Sequence, residues 1–361
     1  MNVHERFMRR AYALACKAKG KTSPNPMVGA VVVKNGVVVG QGYHKKAGDS
    51  HAEVVALNAA KEKARGASLY VTLEPCVHFG RTPPCVNRII KSGIKHVYIG
   101  MVDPNPLTNG KGIQTLRDHG ISVNVGFCEA ELTALNEVFI TYITKHRPFI
   151  TVKVAQSLDG KIATESGDSR WVTSDRSRAF SHRIRSQYDA IMVGINTVLR
   201  DNPRLDSWFS KKHPIKIIVD SQLSTPQNAV LFEHGRPCIV VTIPTRPGQE
   251  TENRAILAQK AKILEVKEKA GQVNLKDMMR KLAGLEITSI LVEGGGTLIG
   301  SLFDEGLVDR VMFFVSPKII GGKNAISSVM GAGAPRVDRA VGLKNVTMKR
   351  MGSDFLFEGY V

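Results

Sequence analysis

Four residues in the first quarter of the chain have the types and the order for hydrolytic chemistry. His51-Ala52-Glu53 opens a predicted helix, and Glu74-Pro75-Cys76, with Cys85 further on, follows a predicted strand. One imidazole and two thiolates suit zinc, and three protein ligands leave the fourth tetrahedral position open, as in catalytic sites. Zinc would lower the pKa of a water toward neutrality, and Glu53 is placed to carry a proton from that nucleophile to a leaving amine. A purely structural zinc would need a fourth ligand. His78 and Cys128 are the candidates, and neither has a persuasive spacing.

The elements that must hold these residues alternate. A helical start is followed by a hairpin-like apolar pair, Val28 to Val39, around Asn35-Gly36. Then come a helix from His51 to Arg65, a strand from Ser68 to Leu73, a helix from Val86 to Lys91 and a strand from His96 to Val102. Alternating strands and helices predict a layered α/β domain. The H-x-E…P-C…C order resembles that of the zinc nucleoside and base deaminases, in which the glutamate shuttles protons and is not a ligand. Eight residues, Val77 to Pro84, separate the cysteines where the nucleic-acid and cytidine members usually have two, so the zinc loop carries an insertion, VHFGRTPP.

At 361 residues, 43% apolar and 23% charged, the chain is globular and long enough for two domains, each with its own core. The boundary is placed at His146-Arg147-Pro148. Beyond it strands are predicted at Phe149 to Ala155, Ala190 to Val193, Ile215 to Val219, Cys238 to Thr242, Ile287 to Val292 and Arg310 to Val315, with helices at Ser174 to Ser186, Met278 to Ala283 and Thr297 to Glu305. Pro244 to Asn253 reads as a loop. The amino terminus lacks an apolar h-region and no apolar run approaches the roughly 20 residues of a membrane span, so a soluble, cytoplasmic protein is expected. Five cysteines then read as thiols or metal ligands. The 50 basic and 32 acidic residues give a net charge of +18, spread evenly at +9 for residues 1–146 and +9 for 147–361. Without a basic tail or patch, this favours small phosphorylated ligands over nucleic acid.

In the second half, Glu293-Gly294-Gly295-Gly296 follows a strand and precedes a helix, which brings backbone N–H groups and a helix N-terminus up to an anion.

Larger strings carry a resemblance over most of the chain. SPNPMVGAVVV (23–33), GYHKKAG (42–48), HAE (51–53), TLEPCVHFGRTPPC (72–85) and DPNP (103–106) resemble the deaminase domain of the bifunctional deaminase–reductase family of riboflavin biosynthesis. VKVAQSLDGKIAT (152–164), SRWVTS (169–174), DAIMVGINTVLRDNPRL (189–205), LVEGGGTLIGSLF (291–303) and SPKIIGG (316–322) resemble its reductase domain. The resemblance implies a cytidine-deaminase-like three-layer α/β domain at 1–146 and a dihydrofolate-reductase-like α/β domain at 147–361. It implies zinc-dependent deamination of 2,5-diamino-6-ribosylamino-4(3H)-pyrimidinone 5′-phosphate, then NADPH-dependent reduction of the ribosyl group. The hydride transfer so implied needs an acid for the departing ring oxygen, and Lys153, Asp201 and Glu293 are all candidates.

By the same resemblance, His51, Cys76 and Cys85 are zinc ligands and Glu53 the proton shuttle, while Asn25, His44, His78, Arg81, Asp103 and Asn105 fall in or near the pyrimidine pocket. Ala155, Trp171, Thr197, Asp201 and the run Gly295, Gly296, Thr297, Leu298, Ile299, Gly300 and Ser301 line the NADPH site. Ser169, Arg185, Leu205 and Glu293 contact the sugar phosphate, with Lys153 beside them. One departure stands out: the family's arginine three residues after Leu205 is replaced by Trp208, so that either Arg204 or Lys211 supplies its charge or the reductase binds its substrate more weakly. A deaminase acting on tRNA would suit the net charge, but the zinc-loop insertion and the second domain speak against it. Complete zinc ligands and an intact Glu53 speak against a binding protein with a dead deaminase fold. A homo-oligomer, dimer or tetramer, is expected.

Overall fold

The uninterrupted apolar runs become the central strands of two α/β units, Met1–Arg147 and Pro148–Val361, in a computed structural model of the chain. The structure describes residues 2–79, 83–207, 213–245 and 252–361. Arg81, Trp208 and Lys211 therefore lie outside the described residues.

The first unit runs α1 (Val3–Ala15), β1 (Gly29–Lys34), β2 (Val37–Tyr43), α2 (Ala52–Ala60), β3 (Ser68–Leu73), α3 (Cys85–Lys91), β4 (His96–Met101), α4 (Lys111–Asp118), β5 (Ser122–Val125), α5 (Glu129–Leu135) and α6 (Glu137–Lys145). The sheet order is β2-β1-β3-β4-β5, with β1 antiparallel to both its neighbours and β3, β4 and β5 parallel. Asn35 and Gly36, at φ 50° and 75°, make the tight turn between β1 and β2. Five consecutive residues of β1 are buried, so both faces of the sheet are covered, as its unbroken valines require. The helix expected over His51 to Arg65 stops at Ala60, because Lys61 takes φ 51° and only a 3₁₀ turn continues. β5 and the helices after β4 are not among the elements expected from the sequence, although α4 is amphipathic and buries Gly112, Ile113 and Leu116.

The second unit contains β6 (Phe149–Gln156), β7 (Lys161–Ala163), α7 (Asp175–Arg185), β8 (Ala190–Gly194), α8 (Ile195–Asp201), β9 (Ile215–Val219), β10 (Cys238–Thr242), α9 (Glu252–Lys260), β11 (Lys262–Glu265), β12 (Glu268–Lys269), β13 (Gln272–Val273), α10 (Leu275–Gly284), β14 (Ser289–Gly294), α11 (Gly296–Asp304), β15 (Arg310–Val315), β16 (Ile326–Ser327), β17 (Lys344–Met351) and β18 (Asp354–Tyr360). Its main sheet is ordered β11-β10-β9-β8-β14-β6-β15-β18-β17, parallel from β11 to β15 and antiparallel in the last two strands. Two cores sandwich it. β8 sends Ala190 and Met192 to one and Ile191 and Val193 to the other. Asn253, expected in a loop, belongs to α9. The carboxyl ends of β8, β14 and β6 are the crevice where open α/β sheets bind ligands. No helix among the described residues is long and apolar enough to cross a membrane.

Candidate active sites

In the first unit the strand-to-turn exit of β3 and two helix N-termini converge on one point. His51 caps α2, Cys76 follows the end of β3 by three residues, and Cys85 is the first residue of α3. One ligand atom from each lies within 4.8 Å of the others. His51 Nδ1 is 3.1 Å from Cys85 Sγ and 3.6 Å from Cys76 Sγ, and the Cys85 backbone N–H donates to Cys76 Sγ at 3.4 Å. Bonds of about 2.0–2.3 Å to a tetrahedral zinc would set ligand atoms roughly 3.5 Å apart, so the cluster fits the ion. Hydrogen bonds from Cys85 and His51 hold Cys76 down to about 4, the thiolate form a metal needs. His78 and Cys128 are not in the cluster: Thr108 Oγ1 sits 3.4 Å from His78 Nδ1, and Cys128 lies at the start of α5. Among the described residues no fourth ligand joins the three.

Glu53, in the first turn of α2, is 4% exposed, and burial raises its carboxyl above the usual range. A carboxyl that readily keeps a proton suits a shuttle. Several residues expected at the pyrimidine are themselves buried or hydrogen-bonded. His44 is buried; its Nδ1 donates to the Ser50 carbonyl at 3.3 Å and its Nε2 accepts from Asn25 Nδ2 at 3.1 Å, which orients the Asn25 amide. Burial keeps His44 below its usual pKa, consistent with an acceptor nitrogen. Asp103 is buried and pushed up to about 6, chiefly by desolvation. Asn105 Oδ1 accepts from the Leu107 N–H at 3.0 Å.

Two buried polar residues here escaped the sequence reading. Asn136, between α5 and α6, accepts from the Met27 N–H at 2.8 Å and donates to the Met27 carbonyl at 3.1 Å, pinning the turn that carries Asn25. Glu74 binds four backbone N–H groups of the segment 103–113. Only the second had a signal, its place beside Pro75 and Cys76.

The second unit holds a cavity of 420 Å³ at the carboxyl ends of its central strands. Glu293, near the end of β14, takes a bidentate grip from Arg185, with Nε to Oε1 at 2.6 Å and a second guanidinium N–H to Oε2 at 2.9 Å, and Lys153 of β6 is 3.5 Å from Oε2. Burial would raise Glu293, but Arg185 and Lys153 outweigh it and hold the carboxyl at about 2. Burial lowers Lys153 from the usual lysine range, with Glu293 opposing. Ser169 Oγ donates to Asp201 Oδ1 at 3.4 Å, and the Arg178 guanidinium stacks 4.3 Å over Trp171.

Ala155, Thr197, Gly295, Gly296, Thr297 and Ile299 also line this cavity, while Leu298 and Ser301 line an adjoining one of 590 Å³ that shares Gly295 and Thr297. Gly300 faces neither: a Cβ there would stand 1.6 Å from the Met330 carbonyl oxygen. Leu205 is buried in the core below. Arg204 turns its guanidinium to Glu233 at 3.5 Å and is not brought to the cavity. The face of α7 adds Arg178, Ser181 and His182 at helical spacing with Arg185, a pattern the sequence reading did not use.

Comparison with known proteins matches each of the two units to a family. Residues 1–101 match the cytidine and deoxycytidylate deaminase zinc-binding region, and residues 148–357 match the RibD C-terminal domain. The riboflavin biosynthesis protein RibD of Aquifex aeolicus is 47% identical, covering 98% of this chain and 97% of its own length. The structure of RibD from Acinetobacter baumannii superposes with a TM-score of 0.89 at 33% identity, covering 99% of this chain and 98% of that one. A diaminohydroxyphosphoribosylaminopyrimidine deaminase/5-amino-6-(5-phosphoribosylamino)uracil reductase from Thermotoga maritima superposes with a TM-score of 0.85 at 38% identity, over 99% and 98%. On these matches the chain belongs to the RibD family, the bifunctional enzymes of riboflavin biosynthesis that join a zinc-dependent deaminase to an NADPH-dependent reductase.

Proposed function

We propose that residues 1–146 replace the 2-amino group of 2,5-diamino-6-ribosylamino-4(3H)-pyrimidinone 5′-phosphate by oxygen, and that residues 147–361 then reduce the ribosyl group to give 5-amino-6-ribitylaminouracil 5′-phosphate. The observation that carries the reading is Glu53, 4% exposed beside a ligand set with an open position. His51, Cys76 and Cys85 would hold a zinc ion, which when bound would supply an activated water. Glu53 takes the proton of the nucleophile and passes it to the leaving amine, so that ammonia departs. Asn25, His44, His78, Arg81, Asp103 and Asn105 hold the pyrimidine, Asn25 and Asn105 offering both donor and acceptor edges.

In the second unit NADPH supplies the hydride. Its binding falls to Ala155, Trp171, Thr197, Asp201 and the run Gly295 to Ser301, of which all but Gly300 border one or both cavities. Ser169 and Arg185 face the sugar phosphate, with Leu205 shaping the loop below. Of the three candidate acids, Glu293 is held ionised and so donates poorly, whereas Lys153 is buried beside it with a lowered pKa, which favours Lys153 as the proton donor to the departing ring oxygen.

One incubation of zinc-loaded protein with the diaminopyrimidinone ribosyl phosphate, with and without NADPH, tests both steps. Ammonia release without NADPH, followed by loss of NADPH absorbance on its addition, is the expected result; absence of ammonia would overturn the reading. The same proposal includes a cytoplasmic location and a closed homo-oligomer, dimer or tetramer, which sedimentation velocity would reveal.

A further inference from the structure

We propose that Glu74 is a positioning residue for the pyrimidine pocket: its single carboxylate closes the loop 103–110 at both ends and fixes it against the turn that carries Cys76. This rests on the deaminase reading above. Glu74 is 3% exposed, and its own N–H donates to the Met101 carbonyl at 3.0 Å, so its backbone is already tied to the end of β4. Oε2 accepts from the N–H of Asp103 at 3.1 Å and of Gly110 at 2.9 Å. Oε1 accepts from Gly112 at 2.8 Å and Ile113 at 3.2 Å.

Glu74 forms no ion pair among the described residues. Its charge is met by four backbone dipoles, three of them at the N-terminus of α4, where an anion is stabilised. The approach is close enough to exclude a side chain: a Cβ on Gly112 would lie 2.2 Å from the Pro75 carbonyl oxygen and 3.0 Å from Glu74 Oε1.

The segment so clamped carries Asp103 and Asn105. Asp103 Oδ1 accepts from the Asn105 N–H at 2.9 Å, and Thr108 Oγ1 reaches His78 Nδ1 on the zinc loop at 3.4 Å. Glu74 is two residues from Cys76, so the distance from the ligand set to the pyrimidine contacts is set through one carboxylate. A loop held at one end only would sample many positions, and the ordering cost would be met at each binding event.

The test uses the full chain with zinc and the diaminopyrimidinone ribosyl phosphate. Glu74→Gln replaces one acceptor oxygen by an NH₂ facing N–H donors, and Gly112→Ala pushes α4 off Pro75 without touching the charge. Each should raise KM for ammonia release roughly ten- to a hundredfold, with a smaller change in kcat, one zinc per chain retained and reduction of the deaminated substrate unchanged. The double variant should be little worse than the poorer single one, since both break the same contact. Glu74→Asp, which keeps the charge, should recover part of the loss. Wild-type protein runs alongside: no ammonia from it would fail the deaminase reading itself. Active wild type with an unchanged KM in Glu74→Gln, loss of its zinc, or a fall in kcat alone would overturn the positioning role.

Discussion

Replacing Glu293 by Gln removes the one anion between two buried cations, and the structure gives the size of the effect. The carboxyl is 5% exposed and held at about 2, against an ordinary 4.5. Each pKa unit corresponds to about 1.4 kcal/mol, so ionised Glu293 contributes about 3 kcal/mol to the second unit, of the order expected for breaking a buried pair. The folded-state pKa is depressed, so this stability is fully present above about pH 4.5 and is lost as pH falls toward about 2. Both tryptophans, Trp171 and Trp208, lie in the second half, and urea unfolding followed by tryptophan emission therefore reports that unit. At pH 7 Glu293→Gln should unfold with about 3 kcal/mol less free energy than wild type. The gap should narrow steadily below about pH 4.5, NADPH oxidation should be lost, and ammonia release should be unaffected. Equal stability at pH 7, or a gap that persists undiminished in acid, would refute the argument.

Three further outcomes are expected. Glu53→Gln should retain zinc by metal analysis and lose ammonia release, while reducing the deaminated substrate at the wild-type rate; retained deamination would remove Glu53 from the proton path. Chelation of zinc should abolish ammonia release, lower the melting temperature of the first unit and spare NADPH oxidation, with zinc restoring the activity. Gly300→Ala should destabilise the second unit by roughly 1–3 kcal/mol through the clash with the Met330 carbonyl, and should raise KM for NADPH by moving α11.

His51, Glu53, Cys76 and Cys85 could be read directly because the reaction restricts their types and order. β1, β3, β8 and β14 could be read because strands covered on both faces are continuously apolar. The hairpin of β17 and β18 could not: β17 is exposed along seven of its eight residues and its sequence, KNVTMKRM, has no buried face to give a period. Asn136 and Glu74 were hidden for a different reason. Each serves backbone groups far away in sequence, and nothing in a local pattern announces which N–H a side chain will meet. Arg204 reads as a cavity cation in sequence, yet its partner Glu233 comes from a later segment that only the fold brings near. His44, expected at the pyrimidine, is buried with its Nε2 accepting from Asn25 Nδ2, a pairing that sequence alone does not announce.

The paired hydrogen bonds between Asn136 and Met27 have a consequence for the order in which the molecule is made. The zinc ligands lie within the first 85 residues, but the turn bearing Asn25 gains its hydrogen bonds at Met27 from a residue 109 positions downstream. Contacts of such separation close late, and a chain emerging from the ribosome grows from its amino terminus. The metal ligands can gather before the substrate pocket exists. A nascent chain would thus hold its zinc for some fifty residues of synthesis before it could admit a pyrimidine, and the lag ends only as α6 emerges, just ahead of the reductase half.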